Sequence, residues 1–394
     1  TAPYVAEEAR RIALQIFDDR AYTDGLRVFT TINGEQQKYA QNAVIRGLME
    51  YDRRHGWRGV EQSLVGTRLF DWKRQLEDID TIGPLHPAVV VAVTDKTIRA
   101  VTKDDESIII EQKGFEWARE YRSVNSIGPP IKDARKLVAP GDLIRVLQDD
   151  MRWWLAQKPE AESGFVALNP NTGAIRAMIG GFNYFGSKFN RATQGGRLVG
   201  SGIKPLIYTA ALESGMTPAT QINDAPVVFD QTEGATDWRP QNSGGTFLGP
   251  TRLRTALYKS RNLVSVRLVR ELGVSRIIDI ADRFGLDTTK LPRNLSISLG
   301  TASLTPLEMA ETYAIFANGG YRVQNHLIDR IESADGAVLY QTRPVSVCRK
   351  ACEGRSVSVD LELDNRLQPA KSDFFELDYS DRIAPRVLDE RIHL

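Results

Sequence analysis

Ser201 and Lys204 stand three residues apart in G-S-G-I-K-P (200–205). A serine hydroxyl is a weak nucleophile until a base takes its proton, and an uncharged lysine amine can be that base. An ordinary lysine has a pKa of about 10.4, so only about one in two thousand is neutral at pH 7. Bringing it to about 7–8 requires destabilising the ammonium by roughly 3–4 kcal/mol. Burial does this, and so does the positive end of a helix dipole. Both are available if Lys204 sits at the mouth of an apolar helix. Alone the pair is weak: S-x-x-K arises by chance about once or twice in a chain of this length, and serine is a common helix cap.

A second group follows in S-R-N (260–262), at a junction between two helical patterns. Ser260 and Asn262 offer a hydroxyl and an amide that could reach a neighbouring site. A tripeptide of this kind is otherwise a helix cap. The histidines His55, His86, His326 and His393 lie far from Ser201 in sequence, and no G-x-S-x-G elbow accompanies them. Nothing therefore calls for a Ser-His-Asp triad.

The elements that must position these residues follow from periodicity. Residues 202–214, G-I-K-P-L-I-Y-T-A-A-L-E-S, read as a buried helix, apolar nearly all round. Pro205 is tolerated only near a helix start, so the helix begins near Ser201. Gly200 lets the chain turn into it. Lys204, at i+3, then stands over the face of Ser201. Further helices are predicted at 251–258, 263–272, 274–284 and 305–317, with a hairpin at 164–170 and 174–181 before them. Strands at 321–331 and 337–341 come last. Near the start, Pro3 to Phe17 has helical spacing, 26–32 is strand-like, and residues 36–51 return to a helical period. Between 84 and 148 short strands at 87–95, 97–102, 107–111 and 142–147 alternate with turns, the pattern of a small OB-like barrel.

The 394 residues are 42% apolar and 26% charged, ordinary for a folded chain of two or three units. Lys plus Arg is 51 and Asp plus Glu is 50, which gives no electrostatic reason to expect nucleic acid as a partner. No apolar run approaches the roughly 18 residues of a membrane span. The opening T-A-P-Y-V has neither an initiator Met nor signal-peptide features, so any anchor is expected upstream. Cys348 and Cys352, in C-R-K-A-C, make a poor zinc site. They read as a small-loop disulfide in an oxidising compartment, or as two free thiols.

Taken with their flanks, these motifs resemble the class A high-molecular-weight penicillin-binding proteins, 1A members in particular. The residues that carry the resemblance are F-T-T-I-N-x3-Q-x2-A-x2-A-V (29–44), F-N-R-A-T-Q (189–194), G-S-G-I-K-P, S-R-N, I-S-L-G-T-A-S-L-T-P-L-E-M-A (297–310) and F-A-N-G-G-Y (316–321), in that order. The resemblance implies an α/β (α+β) fold of the penicillin-binding-protein and serine β-lactamase kind, with an all-β OB-like module inserted. Residues 1–60 would be a linker region, 61–150 the OB-like insert and 151–394 the transpeptidase domain.

The implied reaction is acyl transfer from peptidoglycan stem peptides, a D,D-transpeptidation, without cofactor or metal. Ser201 would attack the D-Ala-D-Ala carbonyl, Lys204 would take its proton, and Ser260 and Asn262 would relay protons and hold the peptide. β-Lactams would acylate Ser201 instead. A membrane anchor and a glycosyltransferase domain are expected upstream, on the periplasmic face of the inner membrane. Two departures stand out. R-L-V-G (197–200) replaces the usual R-Q-P-G, which would loosen the loop, and no K-[ST]-G triplet occurs; Lys96-Thr97 continues with Ile98. The third motif is expected in a segment beyond this sequence, and the chain without it is expected to be inactive or very slow. The same residues also fit a D,D-carboxypeptidase or a β-lactamase, although no deacylating carboxylate is assignable and Glu213 falls late on the core helix. A non-catalytic cell-wall binding or scaffold protein is the reading from another class.

Overall fold

The computed structural model describes residues 2–64, 69–229, 238–347 and 383–392. Cys348, Cys352 and the acidic stretch at 360–364 lie outside the described residues. The chain forms two compact units, one from residues 1–37, 164–179 and 190–394, the other from 38–163 and 180–189.

In the first unit the helix Pro3–Phe17 starts with proline in its first turn and buries Tyr4, Val5, Ala9 and Ala13, a stripe at helical spacing. The stripe packs with Ile175, Met178, Leu327 and Ile331. Strand Arg27–Thr30 pairs antiparallel with Ile328–Glu332, which pairs with Val338–Gln341. The hairpin of Phe165–Leu168 and Ile175–Ile179 joins this sheet where the Ile175 N–H donates to His326 O at 3.0 Å. The expected strand at 321–331 forms only from Ile328. Its first half pairs elsewhere: Tyr321 bridges Arg386, Arg322 N–H donates to Pro385 O, and His326 N–H donates to Gly173 O.

The other half of this unit is helical. The core helix Lys204–Glu213 buries Lys204, Leu206, Ile207, Tyr208, Thr209, Ala210 and Ala211, so it is enclosed nearly all round. Helices Asn262–Leu272 and Val274–Arg283 supply Val264, Leu268, Val269, Ile277 and Ala281 to the same cluster. Helix Pro306–Ala317 opens with a capping box, Thr305 and Glu308 each satisfying the other's backbone N–H.

The second unit is built on an antiparallel sheet in the order Gln62–Ser63, Asp142–Asp149, His86–Val93, Thr97–Thr102, Ser107–Glu111. Strict alternation puts Ile98, Ala100, Ile108 and Ile110 inside, against Phe115, Ile144, Val146 and Leu155. A strand absent from the sequence reading, Arg152–Ala156, pairs with Asp142–Asp149 and carries the sheet past residue 150. Its two-residue turn places Asp150 at φ +44° and Met151 at φ +66°. Hairpin turns of this hand favour Asn-Gly, and Asp-Met gives no such signal.

Candidate active site

The residues before the core helix are held from outside. Arg197 and Leu198 pair antiparallel with Leu304 and Ser303. Val199 N–H donates to Ala302 O and Gly200 N–H to Gly300 O, each at 3.0 Å. Gly200 turns the chain at φ +52°, and Gly300, at φ +69°, lies so close that a Cβ on it would be 1.9 Å from Gly200 O. The I-S-L-G-T-A stretch is thus the back wall of the serine turn. Against the loosening expected from R-L-V-G, Val199 contributes a bond to Ala302 that a proline at its place could not make.

Ser201 then falls in a 3-10 turn, Gly200–Ile203, and the α-helix proper starts at Lys204 with Pro205 in its first turn. The serine hydroxyl is exposed, whereas Lys204 is only 1% exposed. Lys204 Nζ donates to Ser260 O at 2.8 Å, Ser260 Oγ at 2.9 Å and Asn262 Oδ1 at 2.8 Å. An ammonium has three donors, and all three are used. Ser260 Oγ in turn donates to Ser201 Oγ at 2.8 Å. Among the described residues no hydrogen bond joins the Ser201 hydroxyl to the Lys204 amine; the Lys204 backbone N–H donates to Ser201 O, and Ser260 stands between the two side chains. The structure therefore brings all four sequence-predicted residues into one chain of bonds. Burial, and secondarily the charge of Arg261, pushes the Lys204 amine down to about 8.

Ser260 itself has φ +52°, the left-handed region, which an L-residue occupies at a cost of about 1–2 kcal/mol. What holds it there was not legible as a site in the sequence. Arg261 Nε donates to the fully buried Asp224 Oδ2 at 2.7 Å, and its guanidinium also reaches Thr246 O. Asn242 Nδ2 donates to Asp224 Oδ1 at 2.8 Å, while Asn242 Oδ1 accepts from the N–H groups of Asn262 (2.9 Å) and Leu263 (3.3 Å). Asn242 so caps the helix Asn262–Leu272, whose own N-cap residue makes no side-chain cap. Asn262 Nδ2 donates to Gln241 O at 3.0 Å, which turns its oxygen toward the lysine. Tyr313 O–H, from the helix Pro306–Ala317, donates to Gly202 O at 3.1 Å beside the serine turn. The signal that was available was a charged residue inside S-R-N, a place where a simple helix cap has no use for one. Glu213 is committed elsewhere, in an ion pair with Arg283.

Residues 57–161 match the penicillin-binding protein OB-like domain and residues 163–358 the penicillin binding protein transpeptidase domain. Penicillin-binding protein 1A of Pseudomonas aeruginosa is 44% identical over 88% of this chain and 42% of its own length. The Vibrio cholerae protein of the same name is 40% identical over 99% of the chain and 47% of its own length. A crystal structure of penicillin-binding protein 1A from Haemophilus influenzae matches with a TM-score of 0.82 at 33% identity, covering 99% of this chain and 56% of that one. The chain thus spans about half the length of the relatives it matches.

Proposed function

This chain belongs to the penicillin-binding proteins, with their OB-like and transpeptidase domains in sequence, and from that premise we propose that it carries out serine-type D,D-transpeptidation of peptidoglycan through Ser201. The observation that carries the proposal is the unbroken run of bonds from Ser201 through Ser260 to a lysine almost wholly out of water.

With Lys204 protonated, hydrogens point from lysine to Ser260 to Ser201. Loss of one proton leaves the amine two N–H groups and a lone pair. The run can then reverse: Ser201 donates to Ser260, and Ser260 donates to Lys204. As Ser201 Oγ bonds to the carbonyl carbon of the penultimate D-Ala, its proton passes to Ser260 and the Ser260 proton to Lys204. Collapse of the tetrahedral adduct breaks the C–N bond. The lysine returns its proton through Ser260 to the departing D-Ala nitrogen. An amine of a second stem peptide then attacks the ester carbonyl and gives up a proton to Lys204 through Ser260; the ester C–O bond breaks, and the proton returns through Ser260 to Ser201 Oγ. In this scheme Asn262 aims the lysine, its amide fixed by Gln241 O. The Ser201 N–H, in a first helical turn without an intrahelical acceptor, serves as an oxyanion donor. β-Lactams acylate Ser201 by the same attack.

The resemblance assigns a second oxyanion donor to the strand carrying K-[ST]-G, a triplet this sequence does not contain. Residues 1–394 alone are expected to acylate about 10²–10³-fold more slowly than the protein with that strand. An upstream glycosyltransferase and a membrane anchor on the periplasmic face belong to the same proposal; among the described residues no helix is long and apolar enough to cross a membrane.

Intact mass after incubation of the full-length protein with a penicillin tests the proposal. The adduct should appear in the native protein, survive for hours and be absent from Ser201→Ala. Release within seconds would identify a β-lactamase. Stem peptide consumed with water and never with an added amine would identify a carboxypeptidase. Full biological activity of Ser201→Ala would identify a scaffold.

A further inference from the structure

We propose that Asp224 is a positioning residue for the reaction at Ser201: a buried anion that anchors the Ser260–Asn262 turn through Arg261 and Asn242 and fixes the charge that faces Lys204. The proposal rests on the acyl-transfer reading above.

Asp224 ends the strand Gln221–Asp224 and has no exposed surface. Its two oxygens accept three bonds: Oδ1 from Asn242, and Oδ2 from Arg261 and from the Leu248 N–H at 3.0 Å. A carboxylate so enclosed is tolerated only when paired and bonded. Each of its two side-chain partners touches a different part of the turn. Arg261 is the residue between Ser260 and Asn262, and its guanidinium, 11% exposed, is drawn back onto Asp224 and Thr246 O. That pull holds the peptide on either side of Arg261 in place, including Ser260 at its left-handed φ. Asn242 grips the N–H groups of Asn262 and Leu263. One carboxylate therefore sets the position of both groups that receive the lysine.

The same pair sets the field. The charge that opposes the Lys204 ammonium is that of Arg261 on the turn; Asp224 is paired with Arg261 behind it, and burial, with Asp224 after it, raises the pKa of Tyr208, one turn along the core helix, and keeps that phenol neutral. Asp224 is the counter-ion that limits how strongly Arg261 opposes a charged lysine. Nothing else in the Ser201–Ser260–Lys204 run carries a charge.

The test follows acylation of the full-length protein by a fluorescent penicillin from about pH 6 to 10. Asp224→Asn leaves Arg261 without its counter-ion, so the rising limb of the rate should move to lower pH by about half to one unit, with a plateau about tenfold lower. Arg261→Gln exposes the lysine to an unbalanced Asp224, and the limb should move to higher pH by a similar amount. The double variant should return the limb to its native place and keep the low plateau. Asp224→Glu retains the charge and should leave the limb unmoved. A purely structural role lowers plateaus and moves no limb. Folded variants whose limbs stay put, or both shift the same way, overturn the proposal. If Asp224→Asn does not fold, Arg261→Gln decides: a limb that fails to move alkaline overturns it. A native protein that takes no label at Ser201 defeats the acyl-transfer reading and this one with it. Normal native labelling with no divergence between variants defeats only the role of Asp224.

Discussion

Ser260 Oγ lies 2.8 Å from Ser201 Oγ, and the lysine expected to touch Ser201 touches Ser260 instead. In the proposed reaction the proton therefore takes two short steps. Replacing Ser260 by Ala removes the middle of the path without emptying a core site, because the residue is exposed. Acylation should fall by about 10²–10⁴-fold, the usual worth of a positioned proton carrier. Stability should fall by about 1–3 kcal/mol, because one N–H of the buried ammonium loses its acceptor, and the protein should stay folded. A rate within a few-fold of native, measured by stopped-flow labelling, would mean that Lys204 reaches Ser201 unaided.

The pH dependence follows from the lysine. Its pKa is about 8 in the fold against an ordinary 10.5. About one molecule in ten then has the neutral amine at pH 7, and the acylation rate should rise about tenfold per unit below pH 8 and level off above it. The sign for stability is the same. Between about 8 and 10.5 the unfolded chain holds a proton that the fold has released, so this group's contribution to stability rises with pH across that window. Lys204→Arg, charged at every accessible pH, should give no adduct by intact mass.

Gly300→Ala tests the wall behind the serine turn. The new methyl would overlap Gly200 O and would sit on a left-handed residue. Together these should cost about 3 kcal/mol or more. The denaturant midpoint should fall and acylation should drop with it, since the segment that must shift carries Ser201.

Val199→Pro makes the opposite case. Val199 has φ −71°, within the range of proline, so the family's usual residue fits the backbone as it stands. The loss of the bond to Ala302 costs about 1 kcal/mol, and the stiffer unfolded chain returns about 0.4–1. Stability should stay within about 1 kcal/mol of native and the acylation rate within a few-fold, by urea titration and penicillin labelling.

Ser201, Lys204, Ser260 and Asn262 were legible because a proline, two helical periods and a short motif fixed their places locally. Most helices were legible for the same reason, as were the second unit's strands His86–Val93, Thr97–Thr102, Ser107–Glu111 and Asp142–Asp149: their burial follows their own periodicity. Asp224, Asn242 and Gly300 were hidden because they act across the fold, on N–H and C=O groups that any residue possesses. The strand Arg152–Ala156 was hidden by a turn of Asp150 and Met151, whose second residue is not a usual occupant of left-handed backbone. The expected start of a strand at Tyr321 failed because the backbone there was claimed by Arg386, Pro385 and Gly173.

Ser201 faces solvent, while the Lys204 amine and the Asp224–Arg261 pair are almost sealed off. Dissolved ions screen surface charges over about 10 Å of water at 0.1 M but act feebly on groups they cannot surround. The proton machinery should thus be deaf to ionic strength. Any dependence of turnover on added salt would report how an anionic peptide reaches Ser201, and a neutral ester offered in its place should show none.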